Sequence, residues 1–303
     1  MKCKKILTAL LAAACTMSGC HGDLDIMQDN KLSASNMWID ESDAETATYG
    51  IYLYMRDALK SVHDIYLCWG EFRNGLWGAG TNKTLSGVDQ TQVRTSTMSS
   101  SNAYADWSVM YKTVNQANLI LKHVPEMGIS ESVRNFSLGN AYFSRAWCYF
   151  WIARIWGDAP LALTGYESTG GDLYLPRAPK AEIFARIESD LTEAERYVTD
   201  NSDKAVATPA AVQMLKADYA LWMYRVAGGG SSYLTMAEKA IEALNLSASR
   251  LESDYAQVFS SANKLNKEVI FAVHQANGEA VNGPGYYLGW NSNYVEAAYQ
   301  NNP

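Results

Sequence analysis

Gly139-Asn140-Ala141-Tyr142-Phe143-Ser144-Arg145-Ala146, continuing through Trp147-Cys148-Tyr149-Phe150-Trp151-Ile152 to Trp156-Gly157-Asp158-Ala159-Pro160-Leu161, is the stretch that decides the fold. Apolar and aromatic residues go round much of its circumference at helical spacing, and a helix that is apolar on most sides is one a protein buries. Ser130 offers an N-cap oxygen and Glu131 a charge suited to the positive end of the helix dipole, which places the predicted helix from about residue 131 to Trp156. Gly157-Asp158-Ala159-Pro160 then stops it, because proline cannot extend the hydrogen-bond ladder and glycine accepts the capping conformation. Arg145 therefore lies on a buried helix. An unpaired charge there is expensive, so an acid must meet it, and either Asp158 or Asp190 can do so.

Helical periodicity spreads outward from this segment. Ala47, Ile51, Tyr54, Ala58 and Val62 recur at intervals of three and four from Ser42 onward. A second stripe, with Trp107, Met110 or Tyr111, Val114, Ala117 or Asn118, and Leu121, runs from about Asn102 to Val124 and stops at Pro125. Downstream, Pro179 and Glu182 suit a first turn whose helix turns Ile183, Ile187, Leu191 and Ala194 inward. Thr208-Pro209 is an N-cap followed by a proline at the first helical position, for a helix through about Val226. After the Gly228-Gly229-Gly230-Ser231-Ser232 connector, Tyr233 to Asn245 forms its antiparallel partner, with Ala237, Ala240, Ile241 and Leu244 inward. Small residues at this crossing (Ala210, Ala211, Ala217 and Ala220 against Ala237 and Ala240) suit tetratricopeptide-type hairpins. The expected fold class is mostly α: tetratricopeptide-like helical pairs with long irregular loops and minor β, the strand candidate being Glu268-Val269-Ile270-Phe271-Ala272-Val273. Residues 64 to 100, interrupted by Gly70, Gly75, Gly78, Gly80 and Gly87, are expected to be irregular.

The chain opens with an export signal. Lys2, Lys4 and Lys5 form a positive n-region, Ile6 to Cys15 a short apolar h-region, and Met17-Ser18-Gly19-Cys20 a lipobox-like sequence before a cysteine to be acylated. An h-region of about ten residues is too short to span a hydrocarbon core of roughly 30 Å. Ala13-Ala14-Cys15 is a weaker candidate, lacking a large apolar residue at the third position before the cysteine. The expected organisation is a lipoprotein signal peptide over 1–19, an acidic tether over 20–40 and a helical domain over 41–303. Cleavage before Cys20 leaves 22 Lys and Arg against 32 Asp and Glu, a formal charge of −10 instead of −7. That balance argues against a nucleic-acid partner and against a basic patch held to anionic lipid. Of the remaining cysteines, Cys68 and Cys148 permit a single bridge if their Cα atoms lie within roughly 7 Å, whereas the aromatic surroundings of Cys148 favour a buried thiol. His21, His63, His123 and His274 are scattered, so neither a metal nor another cofactor is expected.

In this order the features resemble the SusD/RagB family, surface lipoproteins of Bacteroidetes that capture nutrients for an outer-membrane transporter. The resemblance is carried by Asn36-Met37-Trp38, by Ala47-Thr48-Tyr49-Gly50-Ile51-Tyr52, and by Trp107 to Tyr111 leading to Asn115, Ala117 and Asn118. The Arg145-Ala146 helix with its Gly-Asp-x-Pro turn is the most specific part. Arg177, Ile187, Asp190, Leu191, Thr208 with Ala210-Ala211, and Glu268 to Phe271 follow in the family's order. Asn140, where the family usually has an acid, and Ser144, where a larger apolar residue is usual, depart from it. The resemblance implies a lipid-anchored protein of the outer membrane, facing the cell surface. It further implies an oligosaccharide or peptide ligand, a TonB-dependent (SusC-like) transporter as partner, and a C-terminal portion beyond Pro303 that would complete the fold and pair the strand at Glu268.

Candidate ligand residues lie in two loops. Trp69-Gly70-Glu71-Phe72-Arg73-Asn74-Gly75-Leu76-Trp77 interleaves aromatic faces with polar groups, as carbohydrate recognition requires: an indole takes the C–H face of a sugar while guanidinium and amide groups bond its hydroxyls. From it Trp69, Arg73, Asn74 and Trp77 are selected, and from the Gly- and Asn-rich segment at 286–294, Trp290, Asn291 and Tyr294. Glycoside hydrolysis needs two carboxylates held about 5 to 10 Å apart. Glu71 and Asp89 can be named, but nothing marks them as a pair, and no nucleophile elbow, P-loop or zinc helix is present, so binding without catalysis is expected. The alternative is a helical scaffold that packs on a partner protein. Exposure of Trp69, Trp77 and Trp290 separates the two readings.

Overall fold

The computed structural model describes residues 37–70, 73, 88–168, 170–171, 173–246 and 250–275, with positions 62–64 and 88 described by their backbone alone. Within the unit from Asp40 onward, the architecture is a succession of packed helices. They are α1 (Glu41–Gly70), the short α2 (Val88–Thr95), α3 (Ser108–His123), α4 (Glu131–Trp156), α5 (Lys180–Tyr197), α6 (Pro209–Arg225), α7 (Ser231–Ala243) and the single turn α8 (Tyr255–Val258). No helix among the described residues is long and apolar enough to cross a membrane.

The central helix is α4. Ser130 caps it by accepting from the Val133 N–H at 3.5 Å, and the Ser130 N–H donates in turn to Glu41 Oε1 at 2.8 Å, which ties the start of α4 to the start of α1. Gly157 ends it at φ 72°, a conformation that L side chains rarely adopt. Phe143, Cys148, Tyr149, Phe150 and Ile152 are fully buried, and α1, α3 and α5 pack around them. Burial pushes the Cys148 thiol well above the usual thiol range. Cys68 and Cys148 are both buried and do not bridge.

Arg145 finds its acid in Asp190. The pair is bidentate, Nε to Oδ2 at 2.8 Å and Nη2 to Oδ1 at 2.7 Å, with Asp190 fully buried, while Arg145 Nη1 donates to Asn118 Oδ1 at 2.8 Å. One guanidinium thus joins α3, α4 and α5. Asp158, the other candidate, instead accepts from the Lys180 N–H at 2.8 Å and so starts α5. Asn140, a departure from the family's pattern, is fully used: Oδ1 accepts from the Tyr52 hydroxyl and from the Ala207 N–H at 3.0 Å, and Nδ2 donates to Phe136 O at 2.7 Å.

The α6–α7 hairpin forms as expected. Thr208 Oγ1 accepts from the Ala211 N–H at 3.1 Å, and Ala211, Ala217, Ala220, Ala237 and Ala240 are buried at the crossing. Ile241, expected inward, is instead exposed. Two further expectations are corrected. The helical pattern was expected to break from residue 64, yet α1 continues to Gly70, because Ile65, Leu67, Cys68 and Trp69 are all buried and reward about two further turns. The other concerns Glu268 to Val273, which forms no strand among the described residues. Its Ala272 N–H donates to Lys204 O at 2.9 Å, and Phe271 packs its ring 5.4 Å from that of Phe143. A ladder needs a neighbouring strand, and among the described residues this segment meets the turn at Lys204 and the α4 face at Phe143. The β structure among the described residues is an antiparallel pair of two-residue strands, β1 (Ala159–Pro160) with β2 (Arg177–Ala178), which closes the base of the loop between α4 and α5.

Candidate functional site

An open cleft of about 340 Å³ lies between the N-terminal half of α3 and the β1–β2 loop. Trp107, Tyr111 and Asn115 face it from one side of α3, at positions i, i+4 and i+8 of one helical stripe. Tyr166, Leu173 and Leu175 face it from the loop.

The loop is held to α3 by side chains that stand in for a sheet neighbour. Asn115 Nδ2 donates to Tyr166 O at 3.0 Å while the Tyr166 N–H donates to Asn115 Oδ1 at 2.8 Å. Asn118 Nδ2 donates to Ala162 O at 3.0 Å, and the Tyr149 hydroxyl to the same oxygen at 2.7 Å. Tyr111 donates its hydroxyl to Pro160 O at 2.6 Å; burial pushes that phenol far above the ordinary range, with Arg177 offsetting part, so it remains a donor at neutral pH. Gly165 lets the loop approach this closely, since a Cβ there would come 2.8 Å from Leu119 Cδ2 and 2.9 Å from the Leu119 backbone nitrogen. Further along the loop, Glu167 accepts from Lys122 Nζ at 3.0 Å and pairs with His123 Nε2, and the Lys122 bond first of all holds its carboxyl below the usual range.

Trp107 forms the aromatic end of the cleft. Its ring meets Tyr111 edge-on at 6.3 Å and Trp156 at 6.2 Å, and the Arg177 guanidinium lies 4.9 Å over its centroid. With the amides of Asn115 and Asn118 already bonded to the loop, the walls offer π faces and aliphatic surface more than open polar groups. Such a cleft suits the C–H face of a ring. No group of three or more His, Cys, Asp or Glu among the described residues could hold a metal ion.

Of the residues selected from sequence, Trp69 is a core residue and not a ligand platform. Because α1 runs on to Gly70, its ring is turned onto Trp156 at 5.2 Å and Trp151 at 5.8 Å, its Nε1 donates to Tyr104 O at 2.8 Å, and it is 9% exposed. Arg73 is exposed. Cys20, Asn74, Trp77, Trp290, Asn291 and Tyr294 lie outside the described residues. The cleft residues were visible in the sequence only as a buried stripe (Trp107, Tyr111) or as a connecting loop (Tyr166, Leu173, Leu175). The usable signal was the aromatic content of a loop that follows a Gly-Asp-x-Pro turn.

A family model described as "Starch-binding associating with outer membrane" matches residues 79–222, which include α3, α4, the cleft loop and most of α6. The SusD-like protein P38 of Formosa agariphila is 26% identical over 190 residues, covering 63% of this chain and 36% of that protein. Among solved structures, B. fragilis NanU is 28% identical with a TM-score of 0.71, over 86% of this chain and 53% of that one. A SusD superfamily protein of Bacteroides vulgatus is 27% identical with a TM-score of 0.70, over 82% and 52%. The mostly helical, tetratricopeptide-like scaffold is shared with these structures, and in sequence and fold the chain is similar to SusD/RagB family proteins. It spans about a third of the length of the curated relative named here and about half that of each of the two structures.

Proposed function

We propose that this protein is a cell-surface nutrient-binding lipoprotein that captures an oligosaccharide and passes it to a TonB-dependent transporter of the outer membrane, without catalysing a reaction. The observation that carries the reading is the preformed aromatic cleft at Trp107, held open on a rigid helical frame in a family described as starch-binding and associated with the outer membrane. The domain arrangement proposed with it is a signal peptide over 1–19, a tether over 20–40 acylated at Cys20, and a binding domain over 41–303. Arg73, Asn74 and Trp77, together with Trp290, Asn291 and Tyr294, are proposed as further ligand contacts; Trp69 is withdrawn from that set because its indole is committed to the core.

The test is a glycan array read beside a peptide panel, using the chain with Cys20→Ala so that it can be handled without lipid. Selective retention of one glycan class supports the reading. Retention of peptides alone would move the protein to peptide capture, and retention of neither would favour a scaffold that packs on its partner, a role to which the buried Trp69 is better suited than an exposed one.

A further inference from the structure

A second cavity, of about 460 Å³, opens where the start of α6 meets the end of α7 and the extended segment near Ile270. Two cations line it, Lys204 and Arg250, with the neutral polar side chains of Asn201 and Gln213 beside them. No carboxylate lines it among the described residues. In a chain with 32 acidic residues against 25 basic ones, a cavity lined by two cations and no acid is contrary to composition.

Each cation is fixed by one backbone carbonyl and keeps donors to spare. Lys204 Nζ donates to Asn266 O at 2.7 Å, and Arg250 Nη1 donates to Leu244 O at 3.4 Å, leaving two ammonium protons and the rest of the guanidinium fork. The Lys204 backbone is pinned too, its carbonyl accepting from the Ala272 N–H at 2.9 Å. The neighbouring acids are engaged elsewhere: Glu252 with the Lys267 N–H at 3.3 Å and Asn263 Nδ2 at 3.5 Å, Glu268 with the Glu252 N–H at 2.6 Å, Asp203 with the Ala205 N–H at 2.8 Å, and Asp200 with Ser202. Burial first, and then Arg250, hold Lys204 below the usual lysine range, and Glu252 offsets less than Arg250 adds. The two like charges thus border one cavity. Val269 and Ile270 supply an apolar wall, which strengthens any charge pairing made beside it. The positive end of α6 adds to a site that the two cations define.

We propose that this cavity binds a compact oxyanion, a carboxylate or sulfate group of an acidic ligand, between Lys204 and Arg250. It is separate from the Trp107 cleft, and the inference stands whether or not that cleft takes a glycan.

The experiment is calorimetric titration of the Cys20→Ala chain at low ionic strength with four probes: glucuronate, glucose 6-sulfate, inorganic sulfate and, as the neutral control, glucose. The charged probes should bind and glucose should not, and raising the salt should weaken binding, as it does for exposed charge pairs. Arg250→Gln should lower the affinity by about tenfold or more, the range for removing a charge-assisted hydrogen bond. Asn201→Glu places a carboxylate at the exposed rim without disturbing the core, and should abolish binding with the melting temperature unchanged. Tighter binding of the sugar acids than of inorganic sulfate assigns the site to an acidic saccharide, and equal binding assigns it to the free anion; both support an oxyanion site. Glucose binding as well as glucuronate, no binding of any charged probe, or affinities unchanged in both variants overturns it.

Discussion

Arg145 shows what a single residue reveals in sequence and what it leaves open. A charge on a helix apolar round much of its circumference demanded an acid, and the acid exists, but the choice between Asp158 and Asp190 depended on how α5 crosses α4, which no local pattern encodes. Trp69 failed for a related reason: its place in a glycine-interrupted aromatic run pointed to a loop, whereas burial of the last turns of α1 fixed it in the core. The network around Arg145 gives a direct prediction. Arg145→Ala leaves the fully buried Asp190 carboxylate with Arg186 Nη1, at 3.5 Å, in place of a bidentate partner and should destabilise the fold by about 3 kcal/mol, whereas replacing both partners, Arg145→Met with Asp190→Leu, should cost markedly less. Urea denaturation of the two variants checks it; equal losses would mean that the pair is not what the site depends on.

At the scale of elements, helix starts were the most legible feature, because caps are chemical: Ser130 and Thr208 bond the backbone amides their positions implied. The β1–β2 loop was the least legible, since its conformation is set by bonds to Asn115, Asn118 and Tyr149 that are far away in sequence. The strand candidate at Glu268 finds no pleated neighbour among the described residues, where it meets the turn at Lys204 and the α4 face at Phe143, and β propensity reports a fit to such a neighbour. Two predictions belong to the loop. Gly165→Ala must push it from α3, because the added Cβ meets Leu119 backbone as well as its side chain; a stability loss of about 1 to 3 kcal/mol is expected, with altered affinity at the cleft. The second is a pH effect. Because the Glu167 carboxyl is held below its ordinary 4.5 when folded, its tethering is fully present above that value and is lost as pH falls through the lower folded value. Amide exchange over residues 161–168 should therefore quicken relative to α4 in that acid range, and Glu167→Gln should remove the pH dependence; an unchanged profile in the variant would contradict the tether.

For the whole molecule, the fold class could be read from sequence because helical periodicity, caps and small-residue crossings all point the same way. The binding surface could not, because a cleft is made by elements distant in sequence: Trp107 looked like one more core residue until the loop from Ala162 to Leu175 was placed opposite it. The central claim is that this cleft takes the nutrient. Ser108 lies at its rim and is exposed, so Ser108→Trp fills the space without entering the core. The most direct test is calorimetric titration of the glycan retained by the array into the Cys20→Ala chain with and without Ser108→Trp, with melting temperatures recorded alongside. A tenfold or greater loss of affinity, about 1.4 kcal/mol or more, at an unchanged melting temperature is the predicted result, and equal affinity in the two proteins would contradict it.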